Sequence, residues 1–216
     1  LMFQERLVAI WRWLLVFLVS FFALNVAFGQ AGQPASGIQR VQVPSQDRAG
    51  GQPVMLDGWW YAASAPGPVP VVLMLHGCGG MLNARGEPNL RTKEYAALLN
   101  ARGWHALALD SLTARGEREI CTQRIGTRRV TQTERRRDVL GALAWLAEQP
   151  GIDPARIALL GWSHGGSAVL GATNLNHPDV ARAVVRPRLA VAFYPGCEAD
   201  VRRGYRASTE TLLMLG

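Results

Sequence analysis

Short apolar runs alternate with amphipathic segments along most of the chain, and this alternation predicts its elements. VVLMLH (71–76), HALALDS (105–111), RIALLG (156–161) and RLAVAFYP (188–195) are almost wholly apolar and are bounded by turn or loop residues. Runs of that kind read as strands buried on both faces, which is the signature of a parallel sheet. VMLDGWWYAA (54–63) predicts a strand ahead of them, and TLLMLG (211–216) reads as a further strand just emerging. Helical spacings lie between the runs. Tyr95, Leu98 and Leu99 share a face in 90–102, which Gly103 ends. Val139, Leu140, Leu143 and Leu146 share one in 131–151, where Thr131 or Thr133 can cap the start and Pro150–Gly151 stop the end. A helix is also expected after Ser163. Strand–helix alternation predicts an α/β fold: a mostly parallel, doubly wound sheet with helices on both faces and right-handed crossovers, incomplete at its C-terminal end.

The first residues follow another pattern. Arg6 and Arg12 precede an apolar stretch from Trp13 to Phe28, and Ala27 and Gly29 offer small residues for cleavage before Gln30. This is the form of a secretory signal peptide over 1–29. The apolar stretch is short beside the roughly 20 residues of a full span, so an uncleaved membrane anchor is the weaker alternative. Either way the domain is expected outside the cytoplasm, periplasmic or secreted. Residues 30–52 are polar and rich in Gly, Pro and Ser, and read as a linker or flexible lead-in, or as a poorly ordered first hairpin; 53–216 form the domain proper.

Composition adds limits. The chain has 216 residues, 49% of them hydrophobic, which is enough for one domain with a core of its own. Its formal charge is +7, and Lys93 is its only lysine. The arginines are scattered apart from Arg135, Arg136 and Arg137, which read as a solvated helix face. No basic patch interleaved with aromatics and no reader motif appears, so nucleic acid is not an expected partner. Three cysteines, Cys78, Cys121 and Cys197, allow three single pairings in an oxidising compartment. Cys78 lies in a glycine loop, so Cys121–Cys197 is the expected disulfide. The cysteines show no zinc spacing, and neither a metal nor an organic cofactor is implied.

In open parallel sheets, ligands bind at the C-terminal ends of the strands. HGCGG (76–80), DSLTARGER (110–118) and GWSHGG (161–166) all fall there. GWSHGG follows an apolar strand, precedes a helix and has the form G-x-S-x-G of a nucleophile elbow. Ser163 is therefore the candidate nucleophile. The backbone N–H of His164, at a helix N-terminus, and that of Cys78, in the glycine loop, are the candidate oxyanion donors.

At these residues the chain resembles the dienelactone hydrolase family of α/β-hydrolases. The resemblance runs over roughly 54–216. It is carried by VVLMLHGCGG, LDSLTARG, RRRDVLGALAWLAEQPGIDPARIALLGWSHGG and AFYPGC. It implies an α/β-hydrolase fold and an esterase that opens an ester, thioester or lactone through an acyl-enzyme on Ser163. Dienelactone hydrolase carries cysteine at the elbow, so Ser163 is similar to the serine branch of the family. Arg115 matches an arginine that binds substrate carboxylate in dienelactone hydrolase; its alternative is an ion pair with a neighbour such as Glu117.

A serine nucleophile needs a base. In this fold the triad acid and then the histidine follow the nucleophile in chain order. None of the four histidines fits that order: His76 and His105 flank strands, His164 points away from its neighbour, and His177 lies toward the opposite edge. Asp110 and Asp138 come too early to be the acid. The acid and base are therefore expected beyond residue 216, and residues 30–216 alone are expected to be inactive. Two rivals stand beside the esterase: a prolyl-oligopeptidase-type peptidase, and a non-catalytic binding protein on a truncated hydrolase fold.

Overall fold

The computed structural model describes residues 37–215. The expected signal peptide and the first part of the expected lead-in lie outside the described residues. Seven strands form one sheet: β1 (Ile38–Ala49), β2 (Gln52–Tyr61), β3 (Val69–Leu75), β4 (His105–Asp110), β5 (Ile152–Trp162), β6 (Leu189–Phe193) and β7 (Glu210–Met214). Their spatial order is β1-β2-β4-β3-β5-β6-β7. β1, β2 and β4 pair antiparallel, and β4, β3, β5, β6 and β7 are parallel. The helices are α1 (Leu90–Asn100), α2 (Gln132–Ala147), α3 (His164–Thr173), α4 (Pro178–Arg182) and α5 (Glu198–Arg202).

Strand alternation divides the core into two layers. Val71, Leu73, Leu75, Leu107 and Leu109 face α2 and α3, where Val139, Leu143, Leu146, Ala168 and Val169 meet them. Val72, Met74, Ala106 and Ala108 face the other way, toward Ala96 of α1 and Trp162. Every residue of β4 is buried, so an apolar run without alternation was the correct sign of a two-sided sheet. Thr131 caps α2, its side chain taking a backbone N–H while Glu134 reaches back to the Thr131 N–H.

The two readings of the lead-in part here. From Ile38 onward it is a full antiparallel strand paired with β2, as in the hairpin alternative, and not a linker. Val43 and Ser45 point inward and are buried. The Ser45 hydroxyl donates to Asp138 at 2.6 Å. The inward face is thus partly polar, which hid the period-two pattern.

Candidate active site

The register sets the level of the site. Leu75 of β3 stands opposite Leu109 of β4 and Gly161 of β5, and Trp162 stands opposite Phe193 of β6. The loops that begin at His76, Ser111, Ser163 and Tyr194 therefore leave the sheet side by side.

Ser163 sits between β5 and α3 with φ 53° and ψ −118°, a positive φ that a non-glycine residue adopts at a cost of about 1–3 kcal/mol. The surroundings over-determine it. Its N–H donates to Phe193 O at 2.9 Å, and its carbonyl accepts the Ser167 N–H at 2.9 Å. A Cβ on Gly165 would collide with the carbonyls of Leu75 and His76, and one on Gly161 with the carbonyl of Gly165. Both glycines of the motif are thus required by backbone passing backbone. The loop after β3 comes close: a Cβ on Gly77 would lie 3.5 Å from Ser163 Cβ.

The two candidate donors flank this serine. His164 is the first residue of α3, so its N–H is one that the helix itself leaves unpaired. Cys78 follows Gly77, and its carbonyl accepts the Ile120 N–H at 2.8 Å. Cys78 is also disulfide-bonded to Cys121, and Cys197 is free. The expected Cys121–Cys197 pairing is therefore corrected. The reason is topological: β3 and β4 are neighbours, so the loops after them meet, whereas Cys197 follows β6 on the far side of β5. Leu112, Ile120 and Val130 pack with Cys78 in a small core that holds residues 112–130 against the loop after β3.

The histidines are engaged elsewhere. His76 Nδ1 donates to Gly77 O at 2.7 Å, and its Nε2 accepts the Ser111 N–H at 3.2 Å. Burial, with the nearby charge of Arg135, drives its pKa down to about 3, so it is a neutral structural residue. His164 Nδ1 lies 3.3 Å from Arg135 Nη1. A guanidinium can only donate, so Nδ1 accepts and the proton sits on Nε2. Burial and Arg135 again lower the pKa to about 3. His105 Nδ1 accepts the Ala63 N–H, and His177 faces Asp200 at 3.4 Å. Among the described residues, Ser163 Oγ has no hydrogen-bond partner.

Arg115 is held by carboxylates other than the one expected. It forms a two-pronged pair with Asp138 at 2.8 and 3.0 Å, reaches Asp47 at 2.9 Å and donates to Ser111 O at 2.7 Å. Asp138 is wholly buried. Arg115 therefore joins β1, α2 and the loop after β4 through both of its terminal nitrogens. Asp110 accepts the N–H groups of Leu112 and Thr113 and shapes the same loop. Among the described residues, no cluster of His, Cys, Asp and Glu is placed to hold a metal.

A cleft of about 450 Å³ opens beside the oxyanion loop, lined by Gly77, Gly79, Leu90, Arg91, Thr92 and Trp162 among others. Trp162 stacks on Phe193 with ring centroids 6.2 Å apart, and Arg91 donates to the exposed Tyr194 hydroxyl at 3.0 Å. Sequence reasoning missed this wall, because Leu90 and Arg91 read only as the start of a helix. It also missed Arg135. The expected solvated face of Arg135–Arg137 is corrected: Arg135 is fully buried, while Arg136 pairs with Asp179 and Arg137 with Asp47.

Comparison with known proteins bears on the fold and on the stretch around Ser163. The prolyl oligopeptidase family matches residues 123–189. An ethyl acetate hydrolase of Pseudomonas putida is 38% identical over 86 residues, 35% of this chain and 26% of that protein. A non-reducing polyketide synthase of Emericella nidulans is 27% identical over 164 residues, 71% of this chain and 6% of that protein. The chain thus spans a small part of either curated relative. Among solved structures, a dienelactone hydrolase-like promiscuous phosphotriesterase from metagenomic libraries superposes with a TM-score of 0.57 at 22% identity, over 83% of this chain and 69% of that one.

Proposed function

From the α/β-hydrolase fold that this chain has, we propose that it is a serine hydrolase cleaving an ester, thioester or lactone through an acyl-enzyme on Ser163. The observation that carries the reading is the elbow: a serine held at positive φ, with the N-terminus of α3 on one side and the Cys78 loop on the other. Attack by Ser163 Oγ on the carbonyl forms the new C–O bond and moves charge onto the carbonyl oxygen. The N–H groups of His164 and Cys78 would meet that charge. The leaving alcohol, thiol or ring oxygen takes a proton as its bond to carbon breaks, and water then releases the acid. The described histidines are engaged elsewhere, so the reading takes its base from outside residues 37–215. The likeness to an ethyl acetate hydrolase and to a dienelactone hydrolase-like enzyme supports a small ester or lactone as substrate.

Export is part of the proposal. The Cys78–Cys121 disulfide supports an oxidising compartment, periplasmic or extracellular, in keeping with the leader-like residues 1–29. Small-molecule esters are the proposed partners, and nucleic acid is not one.

The test is turnover of p-nitrophenyl acetate and butyrate by the full-length natural protein and by its Ser163→Ala variant. Turnover abolished in the variant supports the reading; equal turnover in both refutes it. The match of residues 123–189 to the prolyl oligopeptidase family favours a second reading, a peptidase using the same serine. Release of nitroaniline from peptidyl p-nitroanilides, with ester turnover slower, would select it.

A further inference from the structure

Arg135 is the largest side chain wholly removed from solvent, and its placement is unusual for an arginine. Its neighbours Arg136 and Arg137 are ion-paired. Arg135 forms no salt bridge among the described residues, and its Nε has no partner of any kind. What it does touch are the two walls of the candidate oxyanion hole. Nη2 donates to His76 O at 2.9 Å, and Nη1 donates to His164 Nδ1 at 3.3 Å. Gln132, on the same turn of α2, donates to His164 O at 3.1 Å.

Burying a guanidinium without a salt-bridge partner is costly: burial, only partly offset by the more distant charges of Asp138 and Asp110, draws its pKa down to about 10. At neutral pH it still carries its charge. A core position filled only for packing would be met more cheaply by leucine or methionine.

We propose that Arg135 is a positioning residue that locks the two oxyanion donors at a fixed separation. His76 O belongs to the peptide just before Gly77–Cys78. Clamping it sets where the Cys78 N–H points. The second prong fixes the His164 ring and, with Gln132, the first peptide of α3. One rigid, planar fork thereby spans loop and elbow, which lie on different strands. The inference rests on Ser163 as nucleophile.

The experiment compares full-length wild type with Arg135→Lys and Arg135→Met on p-nitrophenyl butyrate. It reads kcat and KM separately, together with the affinity for a trifluoromethyl ketone that forms a tetrahedral adduct on the serine. A lysine keeps the charge but reaches only one of the two partners. The expected result is a kcat lower by about 10-fold in Arg135→Lys and about 100-fold in Arg135→Met. KM stays within about two-fold, and ketone affinity falls in step with kcat. A purely structural role predicts something else: lowered thermal stability with kcat per folded molecule and ketone affinity unchanged. If Arg135→Met does not fold, Arg135→Lys decides alone. Wild-type kcat and ketone affinity in folded Arg135→Lys overturn the inference. Turnover surviving Ser163→Ala would instead overturn the hydrolase reading beneath it, so the two failures are distinct.

Discussion

Acidification from pH 7 to pH 5 is expected to destabilise this fold through its buried histidines. His76 and His164 both have folded pKa values of about 3 against an ordinary 6.5, because burial and the Arg135 charge disfavour the imidazolium. Between those limits the unfolded chain binds more protons than the folded one, so stability rises with pH across that window and is lost as pH falls through it. Each histidine then loses about 2 kcal/mol between pH 7 and 5, and the pair about 4 kcal/mol. His105 and His177 are displaced in the same direction and add to the trend. Asp57, drawn down by Arg40, stabilises above the ordinary carboxylate range and loses its contribution only at lower pH, so it does not mask the effect. The assay is urea unfolding at both pH values for wild type and His164→Gln. Glutamine can still accept from Arg135 but does not titrate, so the acid loss should shrink by about 2 kcal/mol. An unfolding free energy that is flat from pH 7 to 5, or an identical loss in both proteins, would refute the argument.

Other perturbations follow from the same contacts. Cys78→Ser with Cys121→Ser opens a closure of 43 residues and should cost up to about 4 kcal/mol, read as a lowered urea midpoint that tris(2-carboxyethyl)phosphine reproduces in wild type. Arg115→Ala leaves the buried Asp138 charge unpaired and should cost about 3–5 kcal/mol, with KM unchanged for an ester that carries a free carboxylate. A raised KM at full stability would return Arg115 to substrate binding. Gly165→Ala forces a methyl against two carbonyls and should destabilise by about 3 kcal/mol or more, seen as a lowered melting temperature or loss of soluble protein.

The parallel strands and the helix bearing Val139, Leu143 and Leu146 were legible because their burial is continuous or strictly periodic. The elbow was legible for a related reason: its glycines are demanded by backbone clashes, and such demands leave a fixed residue type at a fixed spacing. β1 was legible only as half of a possible, poorly ordered first hairpin. Its inward positions include Ser45, and that serine is buried only because α2 brings Asp138 to it from far along the chain. The disulfide failed for the same kind of reason. The pairing is set by which strands are neighbours, and β3 lying beside β4 is a fact of topology that spacing along the chain does not encode.

Arg135 is the sharpest case, since sequence and structure assign it opposite environments. Within RRRD each arginine looks alike, and three successive charges on a helix must point in three directions. A helix turns about 100° per residue, so a triplet on a helix packed against a sheet must send one member inward or nearly so. Thr131 fixes the phase. It caps α2, which places Arg135 on the first turn above Asp138, Val139 and Ala142, all of them buried. The inward member is therefore Arg135, and the place it reaches is the back of the elbow. A charge forced inward by helical phase could have been replaced by an apolar residue at no loss of packing. That it instead meets the carbonyl of His76 and the imidazole of His164 is what the proposed positioning role explains and an accident of phase does not.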